Sequence, residues 1–185
     1  MGEPLNKEVE RALRRKVFVV HRLDRDASGL MLFAKDADTH RRLSLMFERR
    51  QIHKKYRALV AGRVEDDGEI SLSLREFGSG RTAVDLKGKE SLTRYKVKER
   101  LRDATLLEVE PVTGRRHQIR AHLYATGHPI LGDGLYGKER PVGGAARLML
   151  HAWEISFELD LGKLLTLRCK PPVDFVKILE RARAA

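Results

Sequence analysis

Two apolar runs of strand-forming residues, Val17 to Val20 and Leu30 to Phe33, stand on either side of the polar stretch His21-Arg22-Leu23-Asp24-Arg25-Asp26-Ala27-Ser28-Gly29. β-Branched, aromatic and aliphatic side chains suit a pleated, half-buried surface, whereas Asp, Ser and Gly favour turns. The pattern therefore predicts strand, loop, strand and excludes a continuous helix here. A loop carried by two buried strands is a good place to hold a reactive group still, and this one carries two carboxylates and two arginines. An aspartate in an arbitrary turn more often bonds neighbouring backbone N–H groups, so the loop needs its wider context before a role is assigned.

The rest of the chain reads as strands interleaved with a few helices. Asn6 can cap a helix to about Arg15, with Val9, Ala12 and Leu13 at helical spacing. Asp36 can cap a second helix to about Arg50, with Leu43, Met46 and Phe47 as its apolar stripe. In the strand that begins at His53, alternation puts Tyr56, Ala58 and Val60 on one face and Lys55, Arg57 and Leu59 on the other. Asp66-Asp67-Gly68 signals a hairpin leading to a strand over 69–74. Further strands are predicted over 82–86, 91–99 and 105–112 as a meander. A helix from about Arg116 to Thr126 ends at Gly127. Strands over 147–153, 154–159 and 164–169 follow, Pro171-Pro172 stops the last of them, and Asp174 caps a terminal helix. The predicted class is α+β, a mainly antiparallel, twisted mixed sheet flanked by a few helices, with residues 1–185 as one domain and 1–16 as a peripheral helix.

Several patterns exclude particular chemistries. His117 and His122 lie five residues apart, about 140° around a helix, and so share no face; with no Cys partner, a zinc site is rejected. Gly132-Asp133-Gly134-Leu135-Tyr136-Gly137 fits GxGxxG literally, but Lys-Glu-Arg-Pro follows where a dinucleotide-binding helix should start. The single cysteine, Cys169, permits no intramolecular disulfide. No run approaches the roughly 18 apolar residues of a membrane span, and the first residues alternate charges, so a soluble, cytoplasmic protein is expected. The net charge is +11, with 16 Lys/Arg against 8 Asp/Glu in residues 1–63. A surface that basic attracts polyanions by counterion release, which makes nucleic acid the favoured partner.

HRLDRDASGL closely resembles the HRLD-x-x-x-SGL signature of the RluA-type pseudouridine synthases. Glu110-Pro-Val-Thr-Gly-Arg-Arg-His-Gln-Ile-Arg-Ala-His-Leu123 resembles that family's second signature, and HPILGDGLYG the segment after it. The resemblance implies a pseudouridine synthase catalytic-domain fold, RNA (ribosomal or transfer) as partner, no cofactor, no metal and a monomer. It assigns the catalytic aspartate to Asp24 and places Tyr56 against the reacting base. It also gives Arg120 as the basic residue paired with the carboxylate, and Arg22 as the residue that fills the space left by the flipped base. The implied RNA-binding set is His21, Arg22, Arg25, Lys54, Lys55, Arg115, Arg116 and His117. Family domains ordinarily carry a Lys-Pro-x-Gly stretch ahead of HRLD, and only about sixteen unrelated residues stand there in this sequence, so a sheet lacking that N-terminal segment is expected. The expected activity is isomerisation of uridine in RNA. A catalytically impaired RNA-binding relic or fragment is the alternative, with a base-excising glycosylase further behind because it needs a second carboxylate to activate water.

Overall fold

A computed structural model describes residues 3–137, 144–158 and 162–184. Helix α1 (Leu5–Leu13) has Pro4 at its cap position, two residues before the expected Asn6 cap. It stops at Arg14, which adopts a left-handed backbone with φ 50°. None of its residues is buried. Strands β1 (Phe18–Val19), β2 (Ser28–Gly29) and β3 (Phe33–Ala34) follow. β1 and β3 pair antiparallel and close the polar loop between them. Helix α2 (Ala37–Glu48) is capped by Asp36, whose carboxylate accepts the Thr39 N–H at 2.7 Å. Leu43, Met46 and Phe47 pack on Ile52, Ile155 and Phe157, the stripe expected from their spacing.

The remaining strands are β4 (Ile52–Ala61), β5 (Gly68–Ser71), β6 (Leu74–Glu76), β7 (Thr82–Val84), β8 (Leu92–Arg100), β9 (Ala104–Pro111), β10 (Leu150–Glu158) and β11 (Leu164–Arg168), with α3 (Gln118–Ala125) and α4 (Val173–Ala184). The main sheet runs β11-β10-β4-β9-β8-β5 with antiparallel neighbours, and β2 joins β10 in parallel. β6 and β7 form a separate hairpin, with α3 packed against β7. The fold is α+β, as expected.

The differences from the sequence reading have physical causes. Asp66-Asp67-Gly68 does not fold β5 back onto β4. Ala58, Leu59 and Val60 are fully buried, and both edges of β4 are taken by the apolar strands β9 and β10, so the polar β5 goes to the outer edge beside β8. The two strands expected over 147–159 are one strand, with its register broken between Ala152 and Glu154. Residue 159 lies outside the described residues. The third helix begins at Gln118 and not Arg116, because His117 takes a left-handed backbone with φ 51°. Gly127, at φ 84°, closes α3 as predicted. Asp174 lies inside the first turn of α4 instead of capping it, and its carboxylate is spent on Arg147 and the Phe175 N–H. The GxGxxG look-alike is a run of turns, and residues 138–143 after it lie outside the described residues.

The core lies between the main sheet and helices α3 and α4, with Leu59, Leu107, Val109, Leu123, Met149 and Phe175 at its centre. Seated on the edge of β10 is the polar loop: Ser28 and Gly29 register with His151 and Ala152, and Leu30 N–H donates to Ala152 O at 2.9 Å. Gly29 has φ 118°, and a Cβ built there would lie 2.2 Å from the Ala152 carbonyl oxygen. Gly29→Ala is therefore expected to cost about 3 kcal/mol or more in denaturant unfolding. Gly78→Ala, where a Cβ meets nothing within 4 Å, should stay within about 0.5 kcal/mol. Equal effects would contradict this account of how the loop is seated.

Candidate active site

The loop between β1 and β3 is fixed at several points. Ser28 Oγ lies 2.9 Å from His151 Nδ1, and His151 Nε2 lies 2.9 Å from the Cys169 carbonyl. A carbonyl can only accept, so Nε2 carries the proton and Nδ1 accepts from the serine hydroxyl. Ala27 N–H donates to Asp24 O at 3.0 Å, turning the chain so that Asp24 faces a cavity of about 680 Å³. The floor of that cavity is β4, which contributes Lys54 and Tyr56. Its wall is the segment from Pro111 to Ile119.

Behind Asp24 stands Arg120. This guanidinium is 6% exposed and donates to Asp133 through Nε at 2.7 Å and Nη2 at 2.8 Å. Its remaining nitrogen, Nη1, reaches Asp24 Oδ2 at 3.3 Å. Burial opposes the arginine's charge, but Asp133 and Asp24 outweigh it and hold the group protonated more firmly than a free arginine. Asp133 is itself set by the N–H groups of Leu135 and Tyr136. Tyr136 donates its hydroxyl to Thr82 O at 2.7 Å and so ties the β6–β7 hairpin to the same cluster. The wall is knotted by Gln118, whose amide bonds Leu92 O, Thr93, Thr113 and the Arg115 N–H.

The sequence profile of the RNA pseudouridylate synthase family matches residues 2–125. The chain belongs to that family. It is 43% identical over 145 residues to the dual-specificity RNA pseudouridine synthase RluA of Vibrio cholerae, a stretch that covers 76% of this chain and 59% of the relative. It is 42% identical over 173 residues to ribosomal large subunit pseudouridine synthase C of Haemophilus influenzae, covering 85% and 54%. The chain thus spans about half the length of the curated relatives it matches. Among solved structures, human RNA pseudouridylate synthase domain containing 4 superposes with a TM-score of 0.79 at 27% identity, over 97% of this chain and 80% of the human one.

Of the residues that the family signatures single out, Arg22, Asp24, Arg25, Lys54, Tyr56, Arg115, Arg116 and His117 line the one cavity. Arg120 touches Asp24 from behind it. Two others lie elsewhere. Lys55 points to the opposite face of β4, where its ammonium pairs with Glu154 at 2.8 Å. His21 lines an adjoining cavity, where it accepts the Leu32 N–H through Nε2 at 2.8 Å and stacks on Phe47 with ring centroids 4.8 Å apart. Asp133, which holds the arginine, carried no role in the sequence reading. Its signal was the GDG of the segment after the second signature, where the literal glycine pattern drew attention away from the aspartate between the glycines.

Electrostatics separates these groups. Burial, and then the negative charge of Asp24, raises the Tyr56 phenol above its usual range, so it stays neutral and can donate but not act as a base. His117, with Nε2 3.9 Å from Asp24 Oδ1, is lowered by burial against the pull of that carboxylate, with Arg120 and Arg116 adding to the lowering. Burial, with some help from Lys54, lowers His21 to about 4.

An unfolded histidine titrates near 6.5, so the folded chain takes up protons less readily than the unfolded one at His21. This contribution to stability is complete above about pH 6.5 and is lost as pH falls towards 4. Its size is on the order of 2–3 kcal/mol, and His122 and His151, also lowered by burial, act in the same direction. Denaturant unfolding at about pH 7 and about pH 5 should show a smaller loss in His21→Gln than in the unaltered protein, since the amide oxygen can still accept the Leu32 N–H. An identical loss in both would remove His21 from the explanation.

Removing one partner of a buried ion pair strands the other, so Asp133→Ala should destabilise the fold by about 3 kcal/mol. Adding Arg120→Met should then recover part of that loss, because the buried cation that lost its main partner is gone and the Asp24 left behind is partly solvated. Strictly additive losses in thermal unfolding would show that the pair is not the source.

Proposed function

We propose that the protein is an RNA pseudouridine synthase that isomerises uridine in ribosomal or transfer RNA, acting as a monomer in the cytoplasm without cofactor or metal. The observation that carries the reading is a carboxylate, Asp24, that faces a nucleoside-sized cavity and is held from behind by a buried arginine, while the other carboxylate lining the cavity, Glu76, lies 3.9 Å from Arg116. The family membership and the printed names of the relatives support the RNA substrate and the isomerase class. No helix among the described residues is long and apolar enough to cross a membrane.

Isomerisation detaches uracil from its ribose, turns it over and rejoins it through carbon five. The same atoms return to the product, so the protein has to act on the nucleoside and retain the freed base. Asp24 is the group that acts on it. Arg120 is a positioning residue, holding the carboxylate at one oxygen and leaving the rest of its lone pairs to the substrate. Tyr56 offers its ring to uracil and a neutral hydroxyl for proton donation. A uridine stacked in a helix cannot reach a carboxylate at this depth, so the base must be extruded. Arg22, exposed at the rim, is placed to fill the gap with a planar cation.

The test is to incubate the protein with bulk ribosomal and transfer RNA and map pseudouridine. Asp24→Asn should abolish formation while leaving RNA affinity within several-fold, since an amide keeps the shape but cannot serve as nucleophile or base. Asp26→Asn, altering an exposed carboxylate outside the cavity lining, should be mild. Persistent activity in Asp24→Asn with loss in Asp26→Asn would overturn the assignment. RNA binding with no pseudouridine from the unaltered protein would favour the binding-only alternative.

A further inference from the structure

The adjacent lysines 54 and 55 straddle the pleat of β4, so their ammonium groups leave on opposite faces of the sheet. On one face Lys55 is neutralised by Glu154 at 2.8 Å. Lys54, on the other, has no hydrogen bond or ion pair among the described residues. Its ammonium lies 5.6 Å from the centre of the Phe47 ring, and burial lowers its pKa. Keeping an unpaired cation half-buried costs stability unless something else supplies the counter-charge.

The position of Lys54 says where that counter-charge comes from. It lines the Asp24 cavity and also an adjoining cavity of about 410 Å³, the two sharing Arg22 and the wall from Pro111 to Gly114. The adjoining cavity is bounded further along by Arg50, which also lines a third cavity of about 540 Å³ together with Arg115. Arg115 Nε is buried without a hydrogen-bond partner. Glu48 and Glu90 are the carboxylates along this trough outside the Asp24 cavity. A continuous groove that starts at the carboxylate and is marked by cations without internal partners fits a chain of phosphodiesters and not a single small anion.

We propose that Lys54 is a phosphate-binding residue that receives the RNA phosphodiester next to the nucleotide held at Asp24, and that the flanking strand continues over Arg50. The proposal rests on reading the Asp24 cavity as a nucleotide site and adds where the strand leaves it. An ammonium suits this position because it is a compact point charge, able to bind a phosphate oxygen from within a narrow opening.

The test is the salt dependence of binding to a uridine-containing RNA stem-loop, measured for the unaltered protein, Lys54→Met, Lys54→Arg and Lys55→Met, with thermal unfolding of each without RNA. Losing one single-strand phosphate contact should reduce the slope of log affinity against log salt by about 0.7, and weaken binding about fivefold at roughly 0.1 M salt. Lys54→Met should show that reduction and unfold at an equal or higher temperature than the unaltered protein, since methionine fills the space without a charge to desolvate. Lys54→Arg should restore the slope, and Lys55→Met should leave it unchanged. Should Lys54→Met fail to fold, Lys54→Gln is read in the same way. An unchanged slope in Lys54→Met, or an equal reduction in Lys55→Met, overturns the proposal. Mapping pseudouridine on the same RNA separates the two readings: a Lys54-dependent slope without product leaves the phosphate site standing and removes the isomerase reading. Product with a slope indifferent to Lys54 does the reverse.

Discussion

A buried guanidinium shared between two carboxylates holds this site together. Arg120 comes from α3, Asp133 from the turns that follow it, and Asp24 from the loop between β1 and β3. The sharing is unequal. Asp133 closes on the arginine with two short bonds, whereas Asp24 receives one bond at 3.3 Å. An ionised carboxylate offers roughly four lone-pair directions, so Asp133 is used up as structure while Asp24 keeps most of its capacity facing the cavity. The same cation that costs free energy to bury thus orients the loop without occupying it.

Around that centre, the pleat of β4 sorts the chain's excess positive charge. On one face His53, Lys55 and Arg57 meet Glu110, Glu154 and Glu108, partners supplied by β9 and β10. Trp153 packs there against the guanidinium groups of Arg57 and Arg168. On the other face Lys54 and Tyr56 look into the cavity. A net charge of +11 describes the whole molecule, but internal pairing cancels it on one side of the sheet and leaves the working side cationic. A polyanion approaching this protein meets a directed field.

How much of this could be read from the sequence depends on whether the signal is local. The strand-loop-strand around Asp24, the Asp36 cap and the alternation that puts Tyr56 on one face are short-range effects of propensity and period, and the sequence declares them. Strand order is different: the Asp66-Asp67-Gly68 turn reads as a hairpin, yet burial on both faces of β4 decides that β9 and β10 flank it. The bulge in β10 was equally hidden, because it arises where the strand's outer neighbour changes from β2 to β11. Within the site, the residues named by resemblance divide by position: Asp24 and Tyr56 line one cavity with Arg120 behind them, His21 lines the adjoining one, and Lys55 lies on the other face of β4. Whether a basic side chain faces a cavity, a core or a glutamate is settled by the pleat and by partners distant in sequence. Asp133 was overlooked for the same reason, since its importance lies in an arginine thirteen residues away that only the turn of α3 brings to it.

The seating of the loop on β10 also sets an order of events when the chain is made. Ser28 and its partner His151 are 123 residues apart, so the segment that carries Asp24 leaves the ribosome long before the strand that secures it. Until β10 has been synthesised and paired with β4, the loop has no edge to sit on, and Arg120 has nothing to aim. Contacts of such separation form late because their closure entropy is met only after the sheet exists. A nascent chain therefore carries the basic residues 1–63 well before the Asp24 cavity has its full lining.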